Sequence, residues 1–221
     1  MIMKKIFLVL FLLIGCNVIS QEYNYTKNAI TGVFSVENKS KNEIYSSINK
    51  WISINYNSAK NVIQLNDKDA GNIIIKGINE STYKNALKEV YPNNAYIPEY
   101  NTIKFNHTIE INIKEDRYRI IYTLTDIIND TAKEYQGFGT PTALVNALIS
   151  LNGIKQDDID AYNNFIEETW KKYWVGKKRR NKQKELTKPV FEELNKSVIE
   201  DIKLTMKSIK KSIVGSKKDD W

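Results

Sequence analysis

The chain of 221 residues is poor in the residues that usually carry chemistry. It has one cysteine, one histidine and four prolines, and no long apolar run beyond Ile6 to Gly15. A single cysteine, Cys16, rules out an intramolecular disulfide. If the segment holding Cys16 is removed, cysteine catalysis and cysteine metal sites are excluded as well. A Ser–His–Asp enzyme would have to use His107, which lies in phase with Phe105 and Ile109 and therefore reads as a core or rim residue. A zinc site would need carboxylates alone to complete its shell. There is no glycine-rich phosphate loop and no internal repeat. The sequence implies no cofactor and no catalytic residue.

What is present begins with an address. Lys4 and Lys5 precede the apolar run IFLVLFLLIG, which is too short to cross a bilayer core and suits the middle of an export signal over residues 1–20. Two processing readings compete. Val18-Ile19-Ser20 places a small residue before Gln21, as an ordinary signal peptidase requires. Leu13-Ile14-Gly15-Cys16 resembles a lipobox, in which Cys16 becomes the acylated first residue. The polar start after Ser20 favours cleavage before Gln21 and release to the periplasm or outside. About 200 residues then remain, enough to bury well over half their surface without a disulfide.

Charge is unevenly placed. From Gln21 to Trp170 there are 15 basic and 19 acidic residues; from Lys171 to Trp221 there are 16 and 7. The formal net charge of +7 therefore belongs to the last quarter. Its densest run contains Lys177, Lys178, Arg179, Arg180, Lys182 and Lys184. The simplest reading is a solvated helix end or linker. The alternative is contact with anionic headgroups or an acidic envelope protein. Export argues against nucleic acid as the partner.

Periodicity orders the rest. Residues 21–31 read as a polar lead-in and Val33 to Val36 as a short strand. Ser40 with Glu43 forms a capping box, and Ile44, Ile48, Trp51 and Ile52 share one face of a helix from about Lys41 to Asn55. Trp51 on that stripe reads as core. Asn61 to Leu65 and Gly71 to Gly77 read as strands around the turn-rich NDKDAGN, whose Asp67 and Asp69 read as turn residues. Residues 79–101 read as a long connection with a short helix at Thr82 to Val90. Leu144 to Leu151 reads as a helix between a Thr140-Pro141 cap and a Gly153 stop. Two more follow, one from near Asp157 and one from Pro189 to Ile213. Asp157, Asp158 and Asp160 read as acidic residues at a helix start, where the dipole favours them, and Glu167-Glu168 as a solvated face.

The clearest pattern is TIKFNHTIEINIKEDRYRIIYTLTDI. Odd positions from Ile103 to Ile113 are apolar or His107, and the phase changes at Lys114 to Arg117. Pairing Lys114 with Arg117 sets Ile113 against Tyr118, Ile111 against Ile120, Ile109 against Tyr122 and His107 against Leu124. One face is then wholly apolar, so the phase change is what an antiparallel hairpin demands. Glu110, Arg117 and Arg119 fall on the other face as a candidate binding surface, with Glu110 diagonal to Arg119.

Several of these residues together resemble one family. They are Gly32, the Tyr45 and Trp51 helix, Asp67-Lys68 with Gly71, and Ile73 with Lys76-Gly77. The Lys114 to Arg119 turn adds to them, with Tyr122-Thr123 and Thr125-Asp126. The stretch from about Gly32 to Ile127 looks like the domain of unknown function with a TBP-like fold found in exported bacterial envelope proteins. The resemblance implies an α+β domain over 32–130, an antiparallel sheet with a helix packed on one face, followed by a helical extension over 140–221. It brings no catalytic residues. The chain departs from the pattern in the long 79–101 connection and in Glu115-Asp116, which lacks the expected turn glycine. The functional expectation is an exported envelope module that binds or scaffolds; the alternative is a carboxylate-based envelope hydrolase.

Overall fold

The structure is a computed structural model that describes residues 23–128 and 142–215. The expected signal with Cys16, the start at Gln21 and the Thr140-Pro141 cap lie outside those residues. The elements in chain order are β1 (Tyr23–Tyr25), β2 (Ala29–Ser35), α1 (Lys41–Asn55), α2 (Ala59–Val62), β3 (Ile63–Asp67), β4 (Asn72–Lys84), α3 (Ala86–Val90), β5 (Tyr100–Lys114), β6 (Arg117–Ile128), α4 (Thr142–Leu148), α5 (Gln156–Lys172) and α6 (Lys177–Gly215). The six strands form one antiparallel sheet in the order β1-β2-β6-β5-β4-β3.

The β5–β6 register is the one the alternation predicts. Ile113 faces Tyr118, Ile111 faces Ile120, Ile109 faces Tyr122 and His107 faces Leu124. Beyond them Asn106 faces Asp126, so Thr125 is the extra residue of a bulge. Ile109, Ile111, Tyr118, Ile120 and Tyr122 are all buried. The turn does without glycine because its neighbours brace it. Asp116 adopts a left-handed φ of 56°, its amide donates to the Lys39 carbonyl and its carbonyl accepts from the Val36 amide. Its carboxylate accepts from the Lys39 amide, and Glu115 accepts from the Lys41 amide at the start of α1. Together with the Ser40–Glu43 capping box, this welds the hairpin turn to the head of the helix above it.

Two glycines of the family pattern have local causes. Gly71 has φ 72°, and a Cβ there would lie 2.6 Å from the Ile113 carbonyl oxygen. Gly77 gives room to His107, whose ring would lie 2.8 Å from an added Cβ.

Residues 23–25, expected as part of a loose lead-in, instead form an edge strand paired with β2. The expected connection over 79–101 is shorter than the spacing predicts, because β4 continues to Lys84 and β5 starts at Tyr100. The inner face of this extension is polar. Asn79 donates to the Tyr122 hydroxyl and buried Ser81 donates to Asp201 of α6. No apolar alternation marks the strand there, so periodicity misses it.

Two helices cover the apolar face. Trp51 of α1 is 5% exposed, and its indole N–H donates to Ser208 of α6 at 2.9 Å. Ser212 of α6 donates to the Ser47 carbonyl of α1. Ile202, Met206, Ile209 and Ile213 of α6 are fully buried in the same core as the sheet. This last helix starts twelve residues before the expected Pro189, which sits inside it. An interior proline loses a backbone bond and costs about 3 kcal/mol. Tertiary contacts on both sides of Pro189 outweigh that cost. Thr187 donates to Asn163 of α5, and Phe191 packs edge-on against Tyr162. Asn195 locks α4 by donating to the Leu148 carbonyl and accepting from the Ser150 amide.

Candidate functional site

Four places hold the polar and charged groups from which a site could be built. The first is the sheet face away from α1 and α6. Strand register lines up Val33, Arg119, Asn112 and Asn72 across β2, β6, β5 and β4. Arg119 donates twice to the Asn112 side-chain oxygen, at 2.9 and 2.6 Å. The Asn112 amide donates to Asn72 and to Glu110. Glu110 and Arg119, expected as a diagonal pair, therefore meet on Asn112 instead, because it sits directly opposite Arg119 and is closer. Arg117 is exposed at the turn end of the same face. Val33 and Ile78 are more than half exposed here, so the face combines an organised polar ladder with bare aliphatic surface.

The second is the niche of His107. Its ring is buried, stacks on Tyr122 at 4.7 Å between centroids, and has Nε2 3.4 Å from the Tyr56 hydroxyl. Its Nδ1 is buried without a hydrogen-bond partner. Burial pushes the imidazole down to about 4, and pushes the Tyr56 phenol up to about 12. Burial also raises the Tyr122 phenol, with Tyr56 and Asp201 adding to it. At neutral pH the histidine is therefore an uncharged core ring, as its phase predicts.

The third is the basic run, now the first turns of α6. Arg180 and Lys184 both bind Glu167 of α5, at 3.0 and 2.7 Å. The Lys184 hydrogen bond, with Arg180 behind it, holds the Glu167 carboxyl below the usual range. Arg180 also donates to the Val175 carbonyl. Arg179 lies 4.7 Å over the Tyr91 ring, and Lys182 donates to the Glu89 carbonyl. Four of the six side chains thus fasten α6 to α5 and to the α3 loop. Lys177 and Lys178 stay exposed. Glu167 is partnered here, whereas its sequence reading was a solvated face. Asp157 and Asp158 occupy the first turn of α5 as expected of cap residues, and Asp67 closes its turn by accepting from the Ala70 amide. Among the described residues no group of three or more His, Cys, Asp or Glu side chains could hold a metal ion, and no helix is long and apolar enough to cross a membrane.

The fourth is the corner between α5 and α6, which sequence reasoning passed over. Val175 N–H donates to the Trp170 carbonyl and Trp174 N–H to the Lys171 carbonyl. These two bonds are a Schellman helix end, whose left-handed position is usually glycine. Here Trp174 occupies it with φ 58° and is 95% exposed. A side chain in this region costs on the order of 1–2 kcal/mol, although Gly176 stands two residues away. Lys171, Lys172 and Tyr173 flank the tryptophan and are exposed. The signal was present in the sequence: residues 169–184 hold eight basic and no acidic side chains, with Trp170, Tyr173 and Trp174 among them. Beginning the run at Lys177 separated the charges from these aromatics.

Similarity to other proteins bears on the sheet alone. No curated protein matches the chain. One similar solved structure is a TBP-like protein from Parabacteroides distasonis, 21% identical with a TM-score of 0.32, matched over 45% of this chain and 54% of that one. Another is a DUF4468 family protein from Bacteroides ovatus, 18% identical with a TM-score of 0.36, matched over 46% of this chain and 54% of that one. The chain thus spans about half the length of each structure it matches. Residues 31–129, which start at Thr31 within β2 and take in β3 to β6, match the model of the domain of unknown function (DUF4468) with TBP-like fold, and the antiparallel sheet with its helices has that TBP-like fold.

Proposed function

We propose that the protein is an exported module of the bacterial cell envelope that acts by binding rather than by catalysis. The observation that supports this reading is where its titratable groups sit. The one histidine is sealed in the core and neutral, and Glu167 is held ionised by two cations. Neither is set up to exchange protons with a substrate near neutral pH. Exposed charge instead lies on the open sheet face around Arg119 and on the basic corner before α6. The sheet face suits an envelope protein partner, since an ordered polar ladder beside bare Val33 and Ile78 offers both hydrogen bonds and apolar area.

Two experiments test the reading. Fractionation of cells making the full chain is expected to place it in the envelope or medium, and Leu10→Arg with Leu13→Arg is expected to hold it in the cytoplasm. A cytoplasmic wild type would contradict export. Mass spectrometry of the exported protein is expected to give Gln21 as the first residue; a lipidated Cys16 start would replace that site and imply anchoring. For the binding role, Arg119→Glu is expected to abolish retention on immobilised envelope proteins without unfolding the sheet. Undiminished retention would count against the open face.

A further inference from the structure

We propose that the α5–α6 corner is an interfacial anchor for an anionic lipid surface. In this account Trp174 enters the headgroup layer, and Lys171, Lys172, Lys177 and Lys178 contact the phosphates. This adds a partner to the envelope reading and rests on it only for bringing the chain near lipid.

Three observations converge on the corner. Trp174 is 95% exposed and held in a left-handed backbone position that glycine would occupy without strain. The fold therefore holds a large aromatic ring outward against its own local preference, and strain of that kind concentrates at functional sites. Next, the charge along the chain through this corner is of one sign from Thr169 to Lys184, between Glu168 and Glu185. Residues 169–184 carry eight cations and no anion, and Glu167 engages only Arg180 and Lys184. Lys171 and Lys172 end α5, and Lys177 and Lys178 open α6, so the four exposed lysines bracket the tryptophan within eight residues.

The third observation is rigidity. Val175, directly after the tryptophan, is buried, and its amide closes the helix end. Arg180, bound to the Val175 carbonyl and to Glu167, clamps the two helices together. The ring is thus presented from a fixed corner. A tryptophan ringed by lysines is the side-chain mixture that settles at a bilayer surface: the indole prefers the headgroup region, and the lysines are drawn to anionic phosphates. An acidic protein partner would also draw the lysines and could seat the indole, so the test below separates the two.

The test uses the full-length chain throughout, so that any binding through residues 1–20 is common to every arm. Vesicles of phosphatidylglycerol with phosphatidylethanolamine are compared with vesicles of phosphatidylcholine alone, by sedimentation and tryptophan emission at low and high salt. The wild type is expected to bind the anionic vesicles at low salt with a blue-shifted emission that brominated lipid quenches. Replacing the four lysines by Gln is expected to lower the partition coefficient about a hundredfold or more, since each contributes a factor of about five. A control with Lys60, Lys196, Lys207 and Lys211 changed to Gln is expected to stay within a few fold of wild type.

Trp174→Gly is the decisive variant, because it relieves the backbone and is expected to leave the fold intact, which urea unfolding checks. It is expected to lose the blue shift and the quenching. Retained binding and emission shift in Trp174→Gly, equal loss in the lysine control, or equal binding to phosphatidylcholine would each overturn the proposal. So would an absence of vesicle binding beside binding to polyaspartate, which would reassign the corner to an acidic protein. Failed export with intact vesicle binding would remove the envelope reading and leave the lipid surface standing.

Discussion

Asp116 at the β5–β6 turn and Trp174 at the α5–α6 corner share a left-handed backbone, with φ of 56° and 58°. Their surroundings are opposite. Asp116 is a residue type that tolerates this region, and its amide, carbonyl and carboxylate are all bonded to the β2–α1 link. Trp174 is a type that does not, and its side chain projects into solvent. The first corner is strained in the service of the fold: remove the residue and the helix head loses its brace. The second holds its helix end through backbone bonds that glycine would make equally well, so nothing in the fold calls for the indole. Equal geometry with unequal support separates a structural corner from one kept for something outside the chain.

Four changes break or sharpen that contrast. The largest effect is expected where the fold's own needs are greatest. Trp51 fills the layer between α1, α6 and the sheet, so Trp51→Ala is expected to cost about 3–5 kcal/mol in urea unfolding. A loss under 1 kcal/mol would mean that α6 does not close the core.

Next comes pH. The folded His107 has a pKa of about 4, below its ordinary 6.5. The unfolded chain therefore takes up the proton first as pH falls. Stability from this residue is complete above about 6.5 and falls through the window down to about 4, by on the order of 3 kcal/mol. Urea midpoints between pH 7 and 4.5 are expected to decline less in His107→Gln than in wild type. Parallel declines would place the acid sensitivity elsewhere.

Asp116→Ala is expected to cost about 1–3 kcal/mol, because it removes the bond to the Lys39 amide and leaves alanine in a left-handed turn. Trp174→Gly carries the smallest effect and the opposite sign, a gain of roughly 0.5–1 kcal/mol. If both substitutions destabilised alike, the two corners would not differ in kind.

Where the sequence was legible, one physical signal controlled the outcome. The β5–β6 register followed from side-chain alternation because one face of those strands is wholly apolar, and α1 followed from Ser40, Glu43 and the Ile44 to Ile52 stripe. Strand β4 beyond Gly77 was hidden because its inward Asn79 and Ser81 are polar, matched by Tyr122 and Asp201, which arrive from distant parts of the chain. The start of α6 was hidden by Pro189, since local rules place proline at a helix beginning while the tertiary contacts of Thr187 and Phe191 hold a helix through it. Of the candidate surface residues, Glu110, Arg117 and Arg119 could be placed on the outer face, but the Asn112 bridge depends on rotamers that alternation does not specify. The division of the basic run into Arg180 and Lys184, bound to Glu167, and Lys177 and Lys178, left exposed, needs the position of α5. The outward tryptophan needs a backbone angle that no composition or period reveals.

The most direct measurement pairs two readings on one variant, the urea unfolding free energy and the lipid-induced emission shift of full-length Trp174→Gly beside wild type. The expected result is a chain at least as stable as wild type that no longer shows the blue shift on phosphatidylglycerol vesicles. A variant that is less stable, or one that keeps the shift, would contradict the claim that the α5–α6 corner holds Trp174 outward for a surface beyond the chain.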